Sequence, residues 1–111
     1  MDAFELTQVA AERAASGKRY LEFLRHPSMS LGLYVLGAGQ DDPQQPHAED
    51  EAYYVVRGRA TIRVADEDRP VMPGSVIYVG AGVPHTFHTI EEDLELLVFF
   101  APAEGNARAA T

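Results

Sequence analysis

The chain has 111 residues, 46% of them hydrophobic, no cysteine, and a net charge of −8 from 17 acidic against 9 basic side chains. A length within the usual ~100–150 residues predicts a single domain over residues 1–111, and the apolar content excludes global disorder. The acid excess repels a phosphate backbone, which argues against a nucleic-acid partner; the missing thiols exclude disulfides, iron–sulfur clusters and thiolate zinc, leaving His and carboxylates as the strong metal ligands.

In chain order, residues 4–9 alternate loosely, as a short strand would, and Thr7 is placed to cap a brief Ala-rich helix over 8–16 that stops at Gly17. Residues 19–25 read as a strand ended by the turn His26-Pro27-Ser28, where His26 has a surface role. A second strand, 29–36, is stopped by Gly37-Ala38-Gly39, and 41–46 is a loop by composition. Strand 52–56 follows, then a tight turn at Arg57-Gly58-Arg59 and a clearly alternating strand at 60–65. Further strands are expected at 70–72, 75–79, 85–90 and 94–101, with Glu91-Glu92-Asp93 as the last turn; the tail, 102–111, is small and polar and expected to fray. Eight or so short strands with turns between them predict a β-sandwich or closed barrel.

The N-terminus carries no basic segment leading into an apolar one, and the longest apolar run, residues 96–101, is far short of the ~20 residues of a membrane helix. The expectation is a cytoplasmic protein without a membrane partner. Near-continuous apolar strands such as 75–79 and 94–101 need cover on both faces, which one short helix does not provide. A homodimer is the expected remedy.

Two stretches carry chemistry. The segment 45–58 packs His47, Glu49, Asp50 and Glu51 at the mouth of the strand that begins Tyr53-Tyr54-Val55-Val56, and His85 lies downstream in a similar loop-to-strand position. Residues two apart on a strand share a face, so Gln45 and His47 point the same way, as do His85, Phe87 and Thr89, leaving Thr86 and His88 on the opposite side. Two such sites in a small all-β chain suggest a pocket with a metal at its bottom. Tyr53, Phe87 and Tyr78 are expected to pack the barrel or shape its wall. No G-x-S-x-G elbow and no phosphate loop accompany them.

The spacing of these residues resembles the two motifs of the cupins, small β-barrels of the jelly-roll type. Gly39, Gln45, His47, Glu51 and Gly58 match the first motif, G-x5-H-x-H-x3/4-E-x6-G, with Gln for its first His. Gly74, Gly80, Gly82, His85 and Thr89 match the second, G-x5-P-x-G-x2-H-x3-N, with Gly for Pro and Thr for Asn. Motif 1 covers 39–58 and motif 2 covers 74–89, joined by the short connection 59–73.

The resemblance implies an all-β cupin barrel, a double-stranded β-helix with a short N-terminal helix. It also implies His47, Glu51 and His85 as ligands of a divalent transition metal, with Gln45 in the place of the missing histidine. Two imidazoles and a carboxylate suit non-heme Fe(II) and also accept Mn, Co, Ni or Zn. Gln45 is then a weak carbonyl ligand or a group that orients a bound water or substrate, and Glu49 a second proton-handling candidate. In a register shifted by two, Glu49 would itself be the ligand. A metal-dependent enzyme on a small organic molecule (a dioxygenase, isomerase or cyclase) is one expectation. A non-catalytic sensor or metal-binding module is another, and a structural dimeric barrel with a relict site a third.

Overall fold

A computed structural model describes residues 1–44 and 46–106. One helix, α1 (Leu6–Ser16), precedes six strands: β1 (Tyr20–His26), β2 (Met29–Leu36), β3 (Asp50–Val64), β4 (Glu67–Val71), β5 (Val76–Val79) and β6 (His85–Ala101). All pairings are antiparallel, in the order β1-β2-β6-β3-β4, with β5 on the free edge of the first part of β3. No helix among the described residues is long and apolar enough to cross a membrane.

The helix begins earlier than its sequence suggests, and no separate strand occupies 4–9. The Glu5 carbonyl accepts the amides of Gln8 and Val9, and no side chain caps the first turn. Starting at Leu6 places Leu6 and Val9 one turn apart on one face, where they line an apolar groove with Phe4, Phe23, Leu31 and Leu97. The helix ends as expected at Gly17, in the left-handed region with φ 74°. It thereby covers Leu97, part of the outward face that the sequence left without a partner.

The segments 52–56 and 60–65 form one strand, as do 85–90 and 94–101. The residues read as turns, Arg57-Gly58-Arg59 and Glu91-Glu92-Asp93, are bends within β3 and β6, where the register slips between Val55 and Thr61. Two long paired strands therefore run through both walls of the barrel. The first part of β3 lies between β5 and β6, and the second part lies between β4 and β6. Gly58 permits this bend. Its φ is 96°, and a Cβ there would overlap the Asp93 carbonyl oxygen and lie 2.7 Å from Leu94 Cα.

Beyond the bend the alternation is regular. Leu94, Leu96, Val98 and Phe100 of β6 meet Tyr53, Val55 and Ile62 of β3 inside the barrel, while Leu97 and Phe99 face out, half-buried. Tyr78 is not barrel packing: it is 67% exposed on the outer face of β5. Gly58→Ala should destabilise the protein by about 3 kcal/mol or more in denaturant unfolding. Gly74→Ala has a similar φ of 94° but open space at its Cβ, so only backbone strain of about 1–2 kcal/mol is expected there. Equal losses at the two positions would show that close approach at Gly58 contributes nothing.

Candidate metal centre

Glu51 is the second residue of β3 and faces inward between Val79 of β5 and Phe100 of β6. His85 opens β6, and His47 comes from the loop that precedes β3. The loop is tied to the second motif by two hydrogen bonds: the Gly82 amide donates to the His47 carbonyl at 2.6 Å, and the Ala81 amide to Asp50 Oδ1 at 3.0 Å. One donor atom from each of His47, Glu51 and His85 falls within 4.8 Å of the other two. The fold thus brings together three residues spread over 39 positions of sequence.

The protonation of His85 is set by its surroundings. Nδ1–H donates to the Val83 carbonyl at 2.9 Å, which leaves the Nε2 lone pair facing Glu51 Oε1, also at 2.9 Å. Both side chains are about 1% exposed. This contact is close enough for an ion pair but lies off hydrogen-bond geometry. Among the described residues, His85 Nε2 and both Glu51 oxygens have no hydrogen-bond partner. Two buried acceptors facing each other require a cation between them, either a proton or a metal ion. A nitrogen and a carboxylate oxygen that face each other without a proton between them are the donor types that would hold a divalent transition metal, so the pair would fit one.

His47 completes the set from the mouth of the barrel. Its ring packs edge-on against Phe100, with centroids 4.8 Å apart, and its Nδ1 lies 3.6 Å from Glu104 Oε2. That distance is an electrostatic contact and not a hydrogen bond. A cavity of about 190 Å³ opens beside His47 and Glu51, with Tyr20, Tyr34, Gln44 and Glu104 on its polar walls and Val98 and Phe100 as its apolar floor.

In the loop before β3, residues 41–44 are organised by Asp42. Its carboxylate accepts from the Tyr34 hydroxyl (2.8 Å), Gln44 Nε2 (2.6 Å) and the Phe87 amide (2.9 Å), while the Tyr53 hydroxyl donates to Gln44 Oε1 at 2.8 Å. Gln45 lies outside the described residues; its neighbour Gln44 lines the cavity. Glu49 is buried, but its Oε2 accepts from the Gly105 amide at 3.1 Å, directing the carboxylate at the C-terminal segment.

That segment is not loose where it is described. The Ala103 amide donates to the Pro27 carbonyl and the Glu104 amide to Ser30 Oγ, and Arg25 donates to the Glu104 carbonyl. Ala103 is fully buried, and Glu104 is set at the cavity. Residues 107–111 lie outside the described residues. The other two imidazoles are exposed and within hydrogen-bond distance of carboxylates, His26 of Asp2 and His88 of Asp68.

Tyr20, Tyr34, Gln44 and Glu104 went unnoticed in the sequence. One signal for Tyr20 existed: a glycine inside an apolar strand marks a close approach. A Cβ at Gly32 would overlap the ring and hydroxyl of Tyr20.

An antiparallel jelly-roll barrel with a His/Glu/His cluster at one end, its Glu51 and His85 buried and its His47 partly so, defines the class of protein. Residues 32–100 match the cupin domain family, and the chain belongs to it. It is 57% identical to the uncharacterized protein SCO3923 of Streptomyces coelicolor over 104 residues, 94% of this chain and 99% of that one. TT1209 from Thermus thermophilus superposes with a TM-score of 0.74 at 26% identity, covering 93% of this chain and 99% of that one. An RmlC-like cupin of double-stranded β-helix fold from Methanocaldococcus jannaschii gives a TM-score of 0.72 at 18% identity, over 83% and 84% of the two chains.

A pH dependence follows from the buried pair. Burial alone depresses the His85 imidazole, but contact with the Glu51 carboxylate and the Val83 carbonyl more than offsets it, leaving the group above its ordinary value. In metal-free protein this stabilisation is fully present below the ordinary imidazole value of about 6.5 and is lost as pH rises through the raised folded value. The melting temperature of chelator-stripped protein should therefore fall as pH rises above the ordinary imidazole value of about 6.5. His85→Gln should flatten that slope, and a wild-type profile already flat would mean that the pair shares no proton.

Proposed function

We propose that this cupin binds one divalent transition metal through His47, Glu51 and His85 and acts on a small organic molecule in the adjoining cavity. The observation that carries the reading is the buried Glu51–His85 contact, two acceptors 2.9 Å apart without hydrogen-bond partners among the described residues. A bound metal would supply Lewis acidity or oxygen activation, as in a dioxygenase, isomerase or cyclase. The pairing of β3 with β5 and β6 holds Glu51 in place, and the Val83 carbonyl fixes the His85 tautomer. His47 is oriented by Phe100 and faces the cavity. Gln45 is assigned the position of a weak oxygen ligand or substrate-orienting amide. To Glu49, engaged by Gly105, we assign the positioning of the C-terminal segment that carries Glu104.

A second reading, metal or small-molecule binding without turnover, is favoured by the glutamine standing where the first motif has its histidine. The two readings share the metal, so metal content is the first test. Protein grown with metal supplement should carry close to one transition-metal ion per chain, and chelation should lower its melting temperature. Glu51→Ala and His85→Ala should each lose more than tenfold in affinity, Glu49→Ala much less, and Gln45→His should gain affinity because an imidazole outbinds a neutral amide. Substoichiometric metal with no response to chelator overturns the metal reading; a larger loss at Glu49 than at Glu51 overturns the ligand assignment.

We further propose a homodimer formed on the outer face of β3 and β5. Tyr54 pairs with Val76 across the two strands, and both, with Tyr78, are exposed (41%, 70% and 67%). A contiguous apolar face at a strand edge is a common place for a second subunit. Sedimentation at micromolar concentration should give a dimer that Val76→Glu converts to a folded monomer. A wild-type monomer at that concentration removes the proposal.

A further inference from the structure

We infer that the Tyr20 hydroxyl is the hydrogen-bond donor that orients a small uncharged oxygen compound, bearing a hydroxyl or carbonyl group, in the cavity beside His47 and Glu51. The inference deepens the proposed function and rests on it for the location of the metal, but not for the role of Tyr20.

Three observations carry it. First, β2 is shaped to seat this ring. Gly32 lies in the middle of the strand, its missing Cβ filled by the ring and hydroxyl of Tyr20, and Tyr34 braces the ring edge-on with centroids 6.1 Å apart. Second, Tyr20 Oη is buried and has no hydrogen-bond partner among the described residues. The phenols of Tyr34 and Tyr53 donate to Asp42 and Gln44. Leaving a buried hydrogen bond unmade is costly, so we assign the partner for Tyr20 to whatever occupies the cavity it lines. Burial raises the phenol well above its ordinary value, and the charges of Glu104, Glu22 and Glu51 add to this against Arg25, so the group remains an O–H donor at neutral pH.

Third, the walls define the charge and size of the ligand. Glu51 and Glu104 supply two carboxylates, and among the described residues neither Lys nor Arg lines the cavity. A carboxylate or phosphate ligand would find no cationic side chain there, and the charge of a divalent ion is already matched by the two glutamates. A volume of about 190 Å³ is below the ~300–1,000 Å³ of sites for drug-sized molecules. Tyr20 can then donate to a ligand oxygen while Glu104 accepts from a ligand hydroxyl.

The test uses glycolamide as an uncharged hydroxy-carbonyl probe and glycolate as its anionic isostere. Both are titrated into wild type and Tyr20→Phe, in metal-free protein by amide NMR shifts and in Co(II)-loaded protein by the visible bands. Wild type should bind glycolamide, and the metal-free protein should prefer it to glycolate. Tyr20→Phe should lose about three- to tenfold in glycolamide affinity while its Co(II) affinity is unchanged and its melting temperature is equal or higher. Gly32→Ala, which keeps the hydroxyl but displaces the ring, should weaken the same probe. Equal glycolamide affinity in Tyr20→Phe, a preference for glycolate in metal-free protein, or no binding of either probe (the hydroxyl satisfied by water alone) overturns the inference. Failure to bind Co(II) counts against the metal reading alone, since the metal-free titration still decides the role of Tyr20.

Discussion

The contact between Glu51 and His85 is the constraint on which the rest of the site depends. Two groups that would each prefer water are held almost fully buried, 2.9 Å apart, with their lone pairs facing. A cation between them converts repulsion into attraction, and the low-dielectric interior magnifies either outcome. Everything that fixes those two side chains therefore acts on the site. The Val83 carbonyl selects the His85 tautomer, and the β5–β3–β6 pairing positions Glu51. The inward faces of β3 and β6 supply the water-free surroundings.

The open end of the barrel is closed by segments that have little regular structure of their own. Asp42 connects the loop before β3 to Tyr34, Phe87 and Gln44, and the C-terminal residues are laid across β1 and β2 by Arg25, Pro27 and Ser30. These bonds bring Gln44 and Glu104, 60 positions apart in sequence, to the same cavity. They also explain why Glu49 is buried without joining the cluster: its carboxylate satisfies an amide of the closing segment.

The fold was legible in the sequence because its signals are local. Alternation along 60–65, glycines at turn positions and the spacing of the two motifs each depend on a few neighbouring residues. The errors came where tertiary packing overrode local signals. Arg57-Gly58-Arg59 has the composition of a turn, yet the continuous ladder to β6 carries the strand through it, with Gly58 absorbing the bend against Asp93 and Leu94. The start of α1 was misjudged for the same reason, since burial of Leu6 and Val9 outweighed a cap at Thr7. In the site, His47, Glu51 and His85 could be named because their chemistry is conspicuous. Tyr20 and Glu104 could not, because their place depends on a cross-strand glycine and on a tail whose docking no periodicity encodes.

The distribution of charge ties these features to the acidic character of the chain. Much of the net charge of −8 is solvated surface, but Glu49, Glu51 and Glu104 gather at one end of the barrel, and Glu104 is held above its ordinary value by burial first and by its acidic neighbours, against His47. The repulsion is confined to that end, while the apolar pairs of β6 with β2 and β3 hold the other layers together. A cation at Glu51 would relieve the repulsion felt by Glu104.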